Sequence, residues 1–237
     1  MVGKMFPFIN AKPWNPLGGE CLHSCRYCWV ENLKKLYPAL KAKYSGTPRI
    51  IEHELKRISQ YKAGDFAFVC DCTDLFGHWV PTEYIQRIFE AMKNSPAKFL
   101  LLTKNPKRYR MLISIGVTIP SNCVLGATIE SDKDHLLSGP PESQRLEAIT
   151  ELKQMGYPTM ISVEPVLDFT DDYPFKIIEA HPDFIAVGYD NYNHNLPEPR
   201  LSLTEALARI VEDAKITVYR KTMRHPFNSS AEHNNNP

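Results

Sequence analysis

Six short, uninterrupted apolar runs, spaced by stretches of helical periodicity, constrain this chain more than any other feature. They are Phe66–Cys70 (FAFVC), Phe99–Leu102 (FLLL), Cys123–Thr128 (CVLGAT), Thr159–Val163 (TMISV), Phe184–Val187 (FIAV) and Ile216–Tyr219 (ITVY). A strand with one wet face alternates apolar and polar residues, whereas a strand apolar throughout is covered on both faces, as in a parallel sheet flanked by helices. The intervening segments predict helices over Pro81–Met92, Pro106–Ile113, Pro141–Met155 and Pro174–Ala180, and another that Thr204 precedes. In the first of these Ile85, Ile88, Phe89 and Met92 fall on one stripe. A helix over Trp29–Leu36 and an earlier strand before Cys21 complete the reading.

Such a series folds as a doubly wound sheet or as a (β/α) barrel, and the polar residues favour the barrel. Nearly every run ends in a charged or hydrogen-bonding group: Asp71, Thr73 and Asp74; Thr103 and Lys104; Thr128, Glu130 and Ser131; Glu164; Tyr189, Asp190 and Asn191; Arg220 and Lys221. Barrel chemistry gathers at the C-terminal ends of strands. The expected fold is therefore α/β, a partial or nearly closed (β/α) TIM-type barrel with parallel strands. With 237 residues the chain can bury a full core, so residues 1–227 are expected to form one domain and the polar stretch 228–237 (NSSAEHNNNP) a frayed tail. A net charge of +1 excludes a nucleic-acid-coating protein, although a local basic groove is compatible with it. No apolar run reaches the roughly 18 residues of a membrane span and Met1–Asn10 has no secretory pattern, so a cytoplasmic location is expected. There, six cysteines serve as thiols rather than as disulfides.

Three of the six stand together as Cys21-x3-Cys25-x2-Cys28. Thiolates at that spacing on one loop can meet at a single centre, and soft sulfur donors select zinc, copper(I) or an iron–sulfur cluster. A structural zinc site needs a fourth ligand, which Cys70, Cys72 or His23 could supply. A cubane held by three cysteines instead leaves one iron open to a substrate or cofactor.

The loop, with aromatic Tyr27 just before its last cysteine and a βα series behind it, resembles the signature of the radical S-adenosylmethionine superfamily. The wider pattern (WNPLGGECLHSCRYCW, CDCTDLFGHWVP, FLLLTKNPKRY, LGATIES and ISVEPVLDF) is similar to a phage- and mobile-element-associated branch of it, and more distantly to spore-photoproduct-lyase-like enzymes. The resemblance implies a 4Fe-4S cluster on Cys21, Cys25 and Cys28. Its open iron would chelate S-adenosylmethionine, which an external electron donor such as flavodoxin or ferredoxin cleaves to a 5'-deoxyadenosyl radical. It also implies that Tyr27 packs near the adenine. Many members carry Gly-Gly-Glu after their second strand to bind the methionyl ammonium. Here Cys72-Thr73-Asp74 stands at that strand end, and Gly18-Gly19-Glu20 precedes the cysteines, so Thr73 and Asp74 are the candidate acceptors.

Lys104 and Glu130 suit a carboxylate and a ribose, or else pair with each other. Glu164, ahead of Pro165, is a further cofactor candidate or a rim carboxylate. Lys104, Lys107, Arg108 and Arg110 around Tyr109 form either a phosphate-tracking groove or a solvated helix face. Arg220 and Lys221 with Tyr189, Trp79 and His78 would mix cations and rings at the mouth, so a nucleotide or nucleic acid is expected as substrate ahead of an unrelated metabolite. The competing class is a zinc-binding, nucleic-acid-binding module without radical chemistry, and a third reading is a cluster-bearing scaffold without turnover. Cys123 reads as a small buried hydrophobe.

Overall fold

The computed structural model describes residues 6–135 and 139–227, and the tail expected over 228–237 lies outside them. In chain order the elements are β1 (Leu17–Gly18), α1 (Trp29–Leu36), α2 (Pro38–Lys43), β2 (Arg49–Ile50), α3 (Glu52–Lys56), β3 (Phe66–Val69), α4 (Thr82–Lys93), β4 (Lys98–Thr103), α5 (Lys107–Ser114), β5 (Cys123–Thr128), α6 (Glu142–Gln154), β6 (Thr159–Val163), α7 (Tyr173–Glu179), β7 (Phe184–Val187), α8 (Leu201–Asp213) and β8 (Thr217–Arg220). A short 3-10 turn, Arg57–Gln60, follows α3.

The six apolar runs are β3 to β8, and they lie side by side in sequence order, every pair parallel. A doubly wound sheet reverses its order at a switch point, so an unbroken order is that of a curled half-barrel. The strand expected before Cys21 is only the two residues of β1, paired antiparallel with β2 in a separate ribbon. Upstream of it, Trp14 makes one parallel bridge to the edge of β3, its N–H donating to the Phe68 carbonyl and its carbonyl accepting from Cys70, each at 2.8 Å. The last long helix begins at Leu201, ahead of Thr204 rather than after it. Thr204 lies wholly buried inside it, its hydroxyl 2.7 Å from that of Tyr189.

Strand alternation divides the core in two. Val69, Phe99, Leu101, Leu125, Ile161 and Ile185 face outward, where Ile85, Ile88, Phe89 and Met92 of α4 and their counterparts on the other helices cover them. Phe68, Leu100, Met160 and Ala186 face into the arc together with Phe6 and Ile9. The ring of Phe8 lies 5.6 Å from Phe66, 4.9 Å from Phe184 and 4.8 Å from Tyr219, so the N-terminal segment fills the gap between the first and last strands. Phe99 is fully buried between Trp14 and Tyr61. Phe99→Ala is expected to cost about 3–5 kcal/mol, the usual range for emptying a ring-sized space, read as a lower urea midpoint at unchanged slope.

Candidate metal and cofactor site

A cavity of about 260 Å³ opens at the C-terminal end of the arc. The loop between β1 and α1 lies over it and brings Cys21, Cys25 and Cys28 to its wall, all three thiols partly exposed and unbridged. The loop turns tightly, the Cys28 amide donating to the Cys25 carbonyl at 3.0 Å, and Cys28 then serves as N-cap of α1. Burial first, and the Asp74 charge second, push the Cys21 thiol up to about 12, so a cation binding there must displace a proton. Among the described residues no three Cys, His, Asp or Glu side chains already form a metal-binding group. The donor set is nevertheless three soft thiols of one loop lining one cavity, which suits a thiophilic centre that itself draws the ligands together.

Cys70 and Cys72 line the same cavity. The chain turns out of the strand here, since β3 ends at Val69 and Cys70 has φ of 57°, outside the extended region. Cys70 is buried in the outward core, and the Cys72 thiol is hydrogen-bonded to the Tyr44 hydroxyl. His23 has its Nε2 2.7 Å from Asp74 Oδ2.

Asp74 is the anchor of the cysteine loop. Besides His23 it accepts from the Thr103 hydroxyl at 2.7 Å and from the amides of Phe76 at 2.9 Å and Lys104 at 3.0 Å. Burial would raise its pKa, but the bonds from His23, Lys104 and Thr103 overcome that and hold it below the ordinary carboxylate value. Its acceptor sites are thus spent within the protein, leaving Thr73, buried on the cavity wall, as the freer of the two expected ammonium partners.

Lys104 and Glu130 do pair, and Tyr27 joins them: the Tyr27 hydroxyl and the Lys104 ammonium both bond Glu130 Oε1, and Lys104 also donates to Tyr27. On the other side Arg145 of α6 donates to Glu130 Oε2 at 2.6 Å and to the Thr128 carbonyl at 2.8 Å. Glu130 and Arg145 are each 1% exposed. Burial alone would raise the Glu130 pKa, and the two cations more than reverse it. Both carboxylate oxygens are engaged, so Glu130 positions Tyr27 and Lys104 rather than offering itself to a ribose. Glu164 lines the cavity and pairs with Lys221 at 2.6 Å.

Three expectations are corrected. Arg220 points away from the mouth, pairing with Glu205 and Glu212 of α8. His78 and Trp79 do not line the cavity. Trp79 lies over Gly77, where a Cβ would sit 2.4 Å from its ring, and covers the His23 side of the loop. In the basic stretch Lys104 is interior, while Lys107 and Arg110 pair with Glu147 and Glu151 of α6 and Arg108 donates to the Val80 carbonyl, so this stretch is not a free cationic groove.

The fold and site define a half-barrel α/β protein with three loop cysteines over a strand-end cavity lined by rings, apolar side chains and a few charged groups. Residues 9–194 match the family described as "Protein of unknown function (DUF5131)", and the chain belongs to that family. Among solved structures the chain is similar to a doubly substituted spore photoproduct lyase "with bound AdoMet and dinucleoside spore photoproduct", with TM-score 0.56 and 12% identity over 85% of this chain and 60% of that one. A singly substituted form of the same lyase, "with dinucleoside spore photoproduct", gives 0.53 and 12% over 84% and 59%. The crystal structure of Streptococcus suis SuiB gives 0.50 and 10% over 89% and 48%. At these identities the likeness is one of fold, and this chain spans about 60% or less of each protein's length. No curated protein matches it. No helix among the described residues is long and apolar enough to cross a membrane.

Proposed function

We propose that this protein is a radical S-adenosylmethionine enzyme that holds a 4Fe-4S cluster on Cys21, Cys25 and Cys28. The observation that carries the reading is the C-x3-C-x2-C loop lying over a cavity at the C-terminal ends of a parallel half-barrel. The fold likeness to a lyase solved with AdoMet supports it. When bound, cluster and cofactor supply the reductive cleavage of S-adenosylmethionine, the electron coming from a partner such as flavodoxin or ferredoxin. The chain's own residues bind and orient: Asp74 and His23 fix the loop, Tyr27 offers a ring face, Lys104 a cation for a carboxylate, and Thr73 an acceptor.

Anaerobic reconstitution is expected to give about four irons and four sulfides per chain, and reduction with dithionite in the presence of S-adenosylmethionine to release 5'-deoxyadenosine. Stoichiometric zinc without sulfide would replace this reading by the second one, a zinc site. That alternative is kept because Cys70 and Cys72 line the same cavity as the three loop cysteines. A full cluster without 5'-deoxyadenosine would leave a non-catalytic scaffold.

A further inference from the structure

A second ion pair, largely but not fully buried, lines the cavity apart from the Tyr27, Lys104 and Glu130 cluster. Lys221, one residue past β8, and Glu164, one past β6, are 2.6 Å apart and each only 12% exposed. The pair crosses the end of the intervening strand β7 at Gly188, where a Cβ would stand 3.1 Å from both Glu164 Oε1 and the Lys221 Cβ. Glycine at 188 therefore makes the room for it. Tyr27, by contrast, meets the sheet at the ends of β4 and β5, so this pair belongs to another sector of the mouth.

As a mere strut the pair is a poor solution. Removing an ammonium and a carboxylate from water is costly and their mutual attraction repays it incompletely, so a packed apolar pair would tie the strand ends equally well. What the ion pair adds is an N–H donor beside a carboxylate acceptor. Their charges cancel, which gives no pull toward phosphate or any other anion. The Phe6 ring lies 4.6 Å from the Lys221 ammonium, and the rings of Phe68, Tyr189 and Tyr192 line the same cavity. A neutral, flat ligand with a donor and an acceptor on adjacent atoms fits such a wall.

We propose that Glu164 and Lys221 read the edge of a nucleobase-like cyclic amide, Glu164 accepting its ring N–H and Lys221 donating to the neighbouring carbonyl. The rings of the wall supply the stacking surface. This moves Glu164 from cofactor to substrate, and it rests on the reading of the cavity as a radical enzyme's reaction chamber.

The test is titration of uridine and of 3-methyluridine into the unaltered chain, before and after cluster loading, followed by saturation-transfer NMR. The methyl group removes the N–H and keeps the ring face, so 3-methyluridine is expected to bind at least about tenfold more weakly, as sites built around a hydrogen bond reject analogues lacking it. Glu164→Ala and Lys221→Met should each weaken uridine about tenfold and leave 3-methyluridine nearly unchanged. Equal affinity for the two nucleosides, or no uridine binding in either state, overturns the proposal. Because binding is measured on the cluster-free chain as well, its failure is separate from failure of iron and sulfide to load.

Discussion

A Cys25→Ala chain, reconstituted anaerobically, is expected to hold less than about one iron, against about four in the unaltered protein, and to form no 5'-deoxyadenosine above background. Three thiolates are the fewest that leave one iron of a cubane open while fixing the other three, and two cannot do so. Cys25 is the middle donor, its carbonyl already closing the turn to Cys28 and the residue itself lining the cavity. Cys70→Ala and Cys72→Ala are the informative companions. On the cluster reading both keep iron and sulfide, because neither belongs to the loop. If either loses metal as completely as Cys25→Ala, the centre takes a fourth thiolate from the segment after β3 and has no open iron, and sulfide analysis then separates zinc from a closed cluster.

Glu130→Ala is expected to destabilise the fold by about 3–5 kcal/mol, since it strands Lys104 as an uncompensated charge in the interior and leaves Arg145 with Glu142 alone. Urea unfolding at pH 7 reads the loss directly. The sign with pH follows from the depressed carboxyl. Its stabilising contribution is complete above the unfolded-state pKa of about 4.3 and is lost as pH falls through the lower folded value. The gap between Glu130→Ala and the unaltered chain should therefore be widest near neutrality and narrow below about pH 4. Glu130→Gln, which keeps acceptor and shape but no charge, should fall between. A gap independent of pH would place the cost in packing alone.

The strands were legible because each is built around an apolar run without strict alternation, the pattern that burial on both faces favours, although β8 is only partly buried. The small helices α2 and α3, six and five residues long, have no apolar stripe and no buried residue, so periodicity has nothing to report there. The cysteine loop was legible from spacing alone. Arg145 was not: within ESQRLEAITELKQ it looks like any exposed helical cation, and only the carboxylate it meets from the end of β5 explains its burial. The only local hint was Glu142, one turn earlier, which it also pairs with. Arg220 and Lys221 show a signal available but unused. Alternation along β8 places Tyr219 inward and Arg220 outward against α8, so parity separates the mouth lysine from its neighbour.

The seam closed by Phe8 also sets the order in which this molecule can be made. Phe8 leaves the ribosome long before Phe184 and Tyr219, the rings it must pack between, have been synthesised. Until they arrive, Phe6 and Phe8 have no finished floor to rest on, and the nascent half-barrel exposes its inner apolar face at both edges. Loop-closure entropy must be met before such distant contacts stabilise anything, so the chamber is assembled last, on a sheet whose strands and helices are already paired.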